Sequence, residues 1–212
     1  MALRKQSFVA GEYYHLYNRG TEKRIIFLDE KDYERFLFLM YICNSIKSII
    51  LRDVDENFER GETIVDIGAY CLMPNHFHIL AYEKMEGGIS QYMRKLLTAY
   101  SMYFNKKYKR TGKLYSGVFK SIHANSDRYL KYLYSYIHLN PAKLINKNWR
   151  ENKKRNITNL LKYVFDYLHS SLKEYIGLRF KIVNPTSFPA YFKKPIDHKK
   201  ELFEWLNDTN DT

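Results

Sequence analysis

Four side chains in this 212-residue chain have the types and spacings needed for chemistry on a phosphate. His76 and His78 alternate with Phe77 and Ile79, so on a β-strand the two imidazoles face one side and the apolar pair the other. Side-by-side imidazoles can share a metal ion, although a lone His-x-His suits a hydrogen-bonded network or a zinc site just as well. Tyr136 and Asn140 stand one helical turn apart and share a flank with Tyr129, away from the apolar stripe of Leu130, Leu133 and Ile137. An amide oxygen from Asn140 is a harder ligand than imidazole, and with two histidines it leaves room for phosphate oxygens on Mg²⁺ or Mn²⁺. A phenol with a pKa near about 10 is a poor nucleophile at neutral pH, but a cation on the attacked phosphate offsets the developing charge. Attack by Tyr136 leaves a phosphotyrosine, which retains the diester-level bond and suits cutting and rejoining without ATP. Because the chain holds 20 tyrosines, packing or stacking is the competing explanation for any one of them.

The elements that must position these residues follow from periodicity. Tyr13 to Asn18 alternates as a strand that turns at Arg19-Gly20, and Tyr33, Phe36, Leu37, Met40 and Tyr41 predict a helix from Glu30 to Lys47. A polar loop from Arg52 to Glu62 leads to two β-rich runs, Ile64–Leu72 and His76–Tyr82. Their Met73-Pro74-Asn75 link predicts an antiparallel hairpin. Ser90 is a candidate cap for a helix reaching Lys107, and a further strand is expected in Leu114–Ala124, centred on Val118–His123. Asn125-Ser126-Asp127 can cap the helix that carries Tyr136, and Pro141 limits its extent. The order β-α-β-β-α-β-α predicts an α+β, ferredoxin-like sandwich with a central antiparallel sheet over residues 1–148. A C-terminal extension, 149–212, carries a helix-like run from Ile157 to Tyr175, a Pro-interrupted stretch and a short helix near Leu202–Leu206.

Charge narrows the class of partner. Lys and Arg outnumber Asp and Glu by 35 to 23, a net charge of +12 that favours a polyanion, nucleic acid first. No apolar run approaches the roughly 18 residues of a membrane span, and the first residues lack the hydrophobic core of a signal peptide, so a cytoplasmic location and no membrane partner are expected. Cys43 and Cys71 read as buried apolar side chains.

Several segments in register resemble the REP-associated tyrosine transposases of the HUH endonuclease superfamily. They are Tyr14-His15-Leu16-Tyr17-Asn18-Arg19-Gly20, Met73-Pro74-Asn75-His76-Phe77-His78, Gly112-Lys113-Leu114 through Gly117-Val118-Phe119-Lys120, and Tyr136-Ile137-His138-Leu139-Asn140-Pro141. The resemblance runs over about residues 8–145 and is loose beyond 150. It implies that His76 and His78 are metal ligands, Asn140 the third ligand and Tyr136 the nucleophile. It further implies cleavage and joining of single-stranded DNA with a divalent metal, through a 5′-phosphotyrosine and a free 3′-hydroxyl, at or beside a hairpin in a palindromic repeat. Some relatives pair histidines of one subunit with the tyrosine of another, whereas the REP-associated type can act as monomers, which favours a monomer over a homodimer here.

From Gly87 to Ser126 there is no acidic residue, and Lys106, Lys107, Lys109, Arg110, Lys113 and Lys120 are candidate phosphate contacts, with Tyr103, Phe104, Tyr108 and Tyr115 among them as candidate base-stacking rings. Arg4 and Lys5 form a basic N-terminal arm, and Arg19 either contacts DNA or pins its turn. His15, His123 and His138 are expected to play ordinary structural roles, although His15 falls on a strand beside the site. Two other functions compete. A noncatalytic protein could bind single-stranded nucleic acid through sheet aromatics, and a rolling-circle initiator would share the chemistry but act at a replication origin.

Overall fold

The structure, a computed structural model, describes residues 7–50, 54, 58–152, 156–177, 181–192 and 194–207. Strands β1 (Tyr13–Arg19), β2 (Val65–Met73), β3 (His76–Glu83) and β4 (Lys120–His123) form one antiparallel sheet in the order β2-β3-β1-β4. Helices α1 (Glu30–Ile42) and α2 (Gly88–Lys107) precede and follow the β2-β3 hairpin, and α3 (Asp127–Leu139) follows β4. This is the ferredoxin-like α+β arrangement expected from the element order. Four further helices complete the chain: α4 (Ala142–Ile145), α5 (Ile157–Asp166), α6 (Leu172–Gly177) and α7 (Pro195–Asn207).

Alternation along the central strands divides the sheet into two chemically different faces. Leu16, Phe77, Ile79 and Ala81 pack with Phe36 and Tyr100 in the apolar core under α1 and α2. His15, Tyr17, Arg19, His76 and His78 project from the opposite face, where Tyr17 pairs across from His78 and Arg19 from His76. Helix α3 covers the β2–β3 part of that face, while Arg19, Lys120 and Ile122 stay exposed on the β1–β4 part. Buried Leu130, Leu133, Tyr134 and Ile137 of α3 join the core, and Ser126 accepts a hydrogen bond from the Tyr129 amide to start the helix.

Strand β4 is shorter than the expected Val118–His123 and α7 longer than the expected Leu202–Leu206, and three further elements differ for identifiable reasons. Helix α1 stops at Ile42 instead of Lys47 because Asn44 imitates a strand partner: its side chain donates to Val65 O at 2.9 Å and accepts from Val65 N at 3.0 Å. Helix α2 follows the N-cap residue Gly87, which adopts the left-handed φ of 76°, and its Ile89 amide donates to buried Glu83 at 2.6 Å. Ser90 lies inside the helix. The run Ile157–Tyr175 is split between α5 and α6 because Tyr167–Ser171 lies along the outer edge of β2. Leu72 N donates to His169 O, Ser171 N to Tyr70 O, and the Tyr167 hydroxyl to Leu72 O at 2.6 Å. An exposed edge needs such partners for its backbone groups. The expected loop from Arg52 to Glu62 lies partly outside the described residues.

Residues beyond 150 also wrap the far end of the sheet. Ile182, Val183 and Phe188 enter the main core, and Gly68 sits at a β2 irregularity where a Cβ would come within 2.6 Å of the Phe188 ring and 2.8 Å of the Tyr134 hydroxyl. A second cluster joins Leu139, Ala142 and Trp149 to Leu160, Val164, Leu172, Leu202 and Leu206, so the extension packs directly behind the helix that carries Tyr136. No described helix is long and apolar enough to cross a membrane.

Candidate active site

His76 is set by the hairpin turn that precedes it. Ile26 and Phe27 donate their amides to Pro74 O and Gly20 donates to Asn75 O, which fixes the turn against the loop after β1. The Asn75 amide nitrogen donates to Lys23 O at 3.1 Å, so its oxygen faces His76 Nδ1 at 2.6 Å and takes the proton there. His76 thereby presents Nε2 with its lone pair to the site. Glu22 and Lys23 both take positive φ, 56° and 61°, which is unfavourable for residues with a Cβ and brings the accepting carbonyl into place.

His78 is held by the next strand. Its Nδ1 meets His15 Nε2 at 2.8 Å, with the rings stacked at 5.0 Å between centroids. When His15 accepts, His78 carries its proton on Nδ1 and its Nε2 is open. No hydrogen bond engages Nε2 of either His76 or His78 among the described residues. Burial keeps both rings neutral: His76 and His15 are each pushed down to about 4, and His78, flanked by His15 and His76, lies well below the ordinary histidine value. Neutral imidazoles with Nδ1 engaged and Nε2 open are metal-competent ligands without a proton to lose. His15 therefore belongs to the site; its contact joins residues 63 apart in sequence, which no local spacing discloses.

Tyr136 closes the site from above. Its half-buried ring stands edge-on to His78 at 5.6 Å and to His15 at 5.7 Å, and its hydroxyl has no hydrogen-bond partner among the described residues. Burial raises its pKa, and Arg150 and Arg19 work against that rise. Asn140 is buried at the end of α3; its amide nitrogen donates to Tyr136 O at 2.8 Å, and its oxygen accepts from Lys143 Nζ at 3.2 Å. No three His, Cys, Asp or Glu side chains gather into a metal cluster among the described residues. The Asn140 amide oxygen is a donor of the kind a hard cation takes and is turned to Lys143.

The candidate DNA contacts separate into groups. Lys106, Lys109, Lys113, Lys120 and Arg19 are exposed. Arg110 leans over the Phe104 ring and donates to Asn105 Oδ1. Lys107 is committed internally, with its ammonium 2.7 Å from both Asp29 and Asp32. Phe104 and Tyr115 are buried, and the hydroxyls of Tyr103 and Tyr108 bond to Asp32, so these rings serve the fold. Arg4 and Lys5 lie outside the described residues. A different aromatic row, half-buried Tyr129, Tyr132 and Tyr136, runs along α3 at 5.8 and 5.7 Å between successive rings. Its i, i+3, i+7 spacing is the signal by which the sequence could have disclosed it.

The ferredoxin-like sheet thus sets a His-x-His pair beneath a tyrosine carried on the helix above it. The sequence profile described as transposase, IS200-like, matches residues 13–140, more than half of the chain. The chain belongs to the family of IS200-like transposases. Its fold resembles a solved structure described as a REP-associated tyrosine transposase bound to a REP hairpin, with a TM-score of 0.54 and 14% identity over 100% of this chain and 95% of that one. No curated protein matches.

Proposed function

We propose that the protein cleaves and rejoins single-stranded DNA at a hairpin-forming repeat, with Tyr136 as nucleophile. The observation that carries this reading is the placement of the Tyr136 ring 5.6 Å from His78 and 5.7 Å from His15, on the face where His76 and His78 keep Nε2 open. The hairpin in the related structure supports the choice of DNA form. His76 and His78, with Asn140 once its oxygen leaves Lys143, would hold Mg²⁺ or Mn²⁺. When bound, such an ion neutralises charge on the attacked phosphate.

The chain's own residues do the rest. Tyr136 Oη forms a bond to phosphorus as the phosphorus–O3′ bond breaks; the phenol loses one proton and the departing 3′-oxygen gains one, leaving a 5′-phosphotyrosine. Reversal by another 3′-hydroxyl rejoins the strand with no external energy source. The covering helix limits water at the link. Exposed Lys106, Lys109, Lys113, Lys120 and Arg19 would neutralise backbone phosphates, and Lys107 would not. Tyr136 lies over His78 within a single chain, which supports a monomer, as does the covered β2 edge, which closes one route to sheet pairing between copies. A noncatalytic RNA platform would need an open sheet face, whereas α3 covers the β2–β3 part of the polar one.

The test is incubation with hairpin-bearing single-stranded DNA and Mn²⁺. A denaturation-resistant protein–DNA adduct is expected from the natural protein and none from Tyr136→Phe; an unchanged adduct in that variant would overturn the assignment.

A further inference from the structure

The Tyr136 ring is surrounded on its outer side by positive charge. Lys143 Nζ lies 5.4 Å and Arg150 Cζ 5.7 Å from its centroid, and Arg19 is close enough to influence the phenol electrostatically. Lys143 sits seven residues after Tyr136, at the first turn of α4, and its side chain returns to the end of α3 to reach Asn140 Oδ1 at 3.2 Å. It is exposed to solvent as a residue, and no carboxylate lies in ion-pair range of it among the described residues. Partial burial of the ammonium and the charges of Arg150 and Arg19 lower its pKa, and both His76 and His78 feel its field. An ammonium held beside a nucleophile without a matching carboxylate forms a place for an anion. The oxygen that the Lys143 ammonium now holds is that of a neutral amide, a weaker partner than a phosphate.

We propose that Lys143 is a catalytic residue that binds a non-bridging oxygen of the scissile phosphate, releasing Asn140 Oδ1 as it does so. This rests on the phosphotyrosine reading above and adds to it a protein cation on the reacting group. It also links two events: the same movement that engages the phosphate turns the Asn140 oxygen loose for a cation at the His pair. The competing explanation is that Lys143 merely caps the C-terminal end of α3, where a cation is favourable. A cap affects stability; it does not change how DNA binding responds to salt.

The test uses the full chain carrying Tyr136→Phe, without metal, and a single-stranded DNA hairpin that spans the cleavage position. Adding Lys143→Met should weaken binding about tenfold at moderate salt and reduce the slope of log affinity against log salt by about 0.7, the value for one lost phosphate contact on a single strand. Lys143→Arg should restore both. Replacing the scissile phosphate by an uncharged methylphosphonate should remove the difference between the chain that keeps Lys143 and the one carrying Lys143→Met. An unchanged slope in Lys143→Met overturns the phosphate contact, as does a difference that persists on the methylphosphonate. Since these readouts need no chemistry, they are independent of the adduct assay: a normal slope change with no adduct from the natural protein would overturn the nucleophile and keep Lys143 as a phosphate ligand.

Discussion

Two histidine pairs with nearly equal nitrogen–nitrogen distances sit on either side of the same helix. His15 and His78 meet at 2.8 Å on the sheet face beneath Tyr136, and His138 and His198 meet at 2.9 Å on the back of α3. All four are buried. The difference is in the second nitrogen. His78 keeps Nε2 open, whereas His138 Nε2 is taken by the Ser171 hydroxyl at 2.8 Å and its ring is enclosed by Tyr134, Tyr175 and the extension. One pair leaves His78 Nε2 open beneath Tyr136; the other ties α7 and the β2-edge segment to the helix that holds Tyr136. Lys131–Glu201 at 2.9 Å and the Tyr132–Trp205 contact reinforce that second role. A buried His–His contact is therefore not a functional signal in itself. His198 Nδ1 also lacks a partner and its ring lies beside Tyr175, but that hydroxyl bonds to Gly68 O, whereas beside the sheet pair His76 brings a second open Nε2 and the Tyr136 hydroxyl has no partner among the described residues.

The comparison can be broken most sharply at the ligands. Replacing His76 and His78 together by Ala should reduce Mn²⁺ affinity by more than about 100-fold in calorimetric titration, while His198→Phe should stay within about twofold; equal losses would erase the distinction. Next in size is His138→Ala, which leaves Ser171 and His198 without their partner and opens a cavity. It should cost about 3 kcal/mol in urea unfolding with Mn²⁺ affinity unchanged. His15→Phe removes the acceptor for His78 Nδ1 and should lower Mn²⁺ affinity by about 10- to 100-fold, with His15→Gln recovering part of it through its amide oxygen. Loss of stability without loss of affinity would place His15 with the structural pair.

The effect of acid is graded. His15, His76 and His198 have folded values of about 4, below the unfolded value of about 6.5, so between these pH values the unfolded chain binds the extra protons. Their stabilisation is complete above about pH 6.5 and is lost as the pH falls towards about 4, at up to about 1.4 kcal/mol per pH unit for each proton. Urea midpoints measured across that interval should fall steadily, and His198→Phe should flatten only the share contributed by the enclosed pair.

What the sequence disclosed and what it concealed divide along the same line. The His-x-His alternation, the Tyr136–Asn140 turn and the sheet order rest on periods of two and 3.6 residues, and they bring the four side chains to one face of the sheet and the helix above it. The contacts between distant residues have no such period. His15 reaches His78, Asp29 and Asp32 capture Lys107, and His169 to Ser171 pair with β2 only after the chain has folded back. The acid-free tract thus looked uniformly available for DNA, although its Lys107 is neutralised by acids from α1 and its capping residue. Helix α1 likewise ended early because Asn44 bonds to a strand 21 residues away.

The most direct test of the nucleophile is peptide mapping of the covalent product. After reaction with hairpin-bearing single-stranded DNA and Mn²⁺, nuclease trimming and tryptic digestion, the peptide from Tyr132 to Lys143 should carry a residual nucleotide, and fragmentation should place it on Tyr136. The mass shift on Tyr132 or Tyr134, or its absence from this peptide while DNA is cleaved, would contradict the assignment.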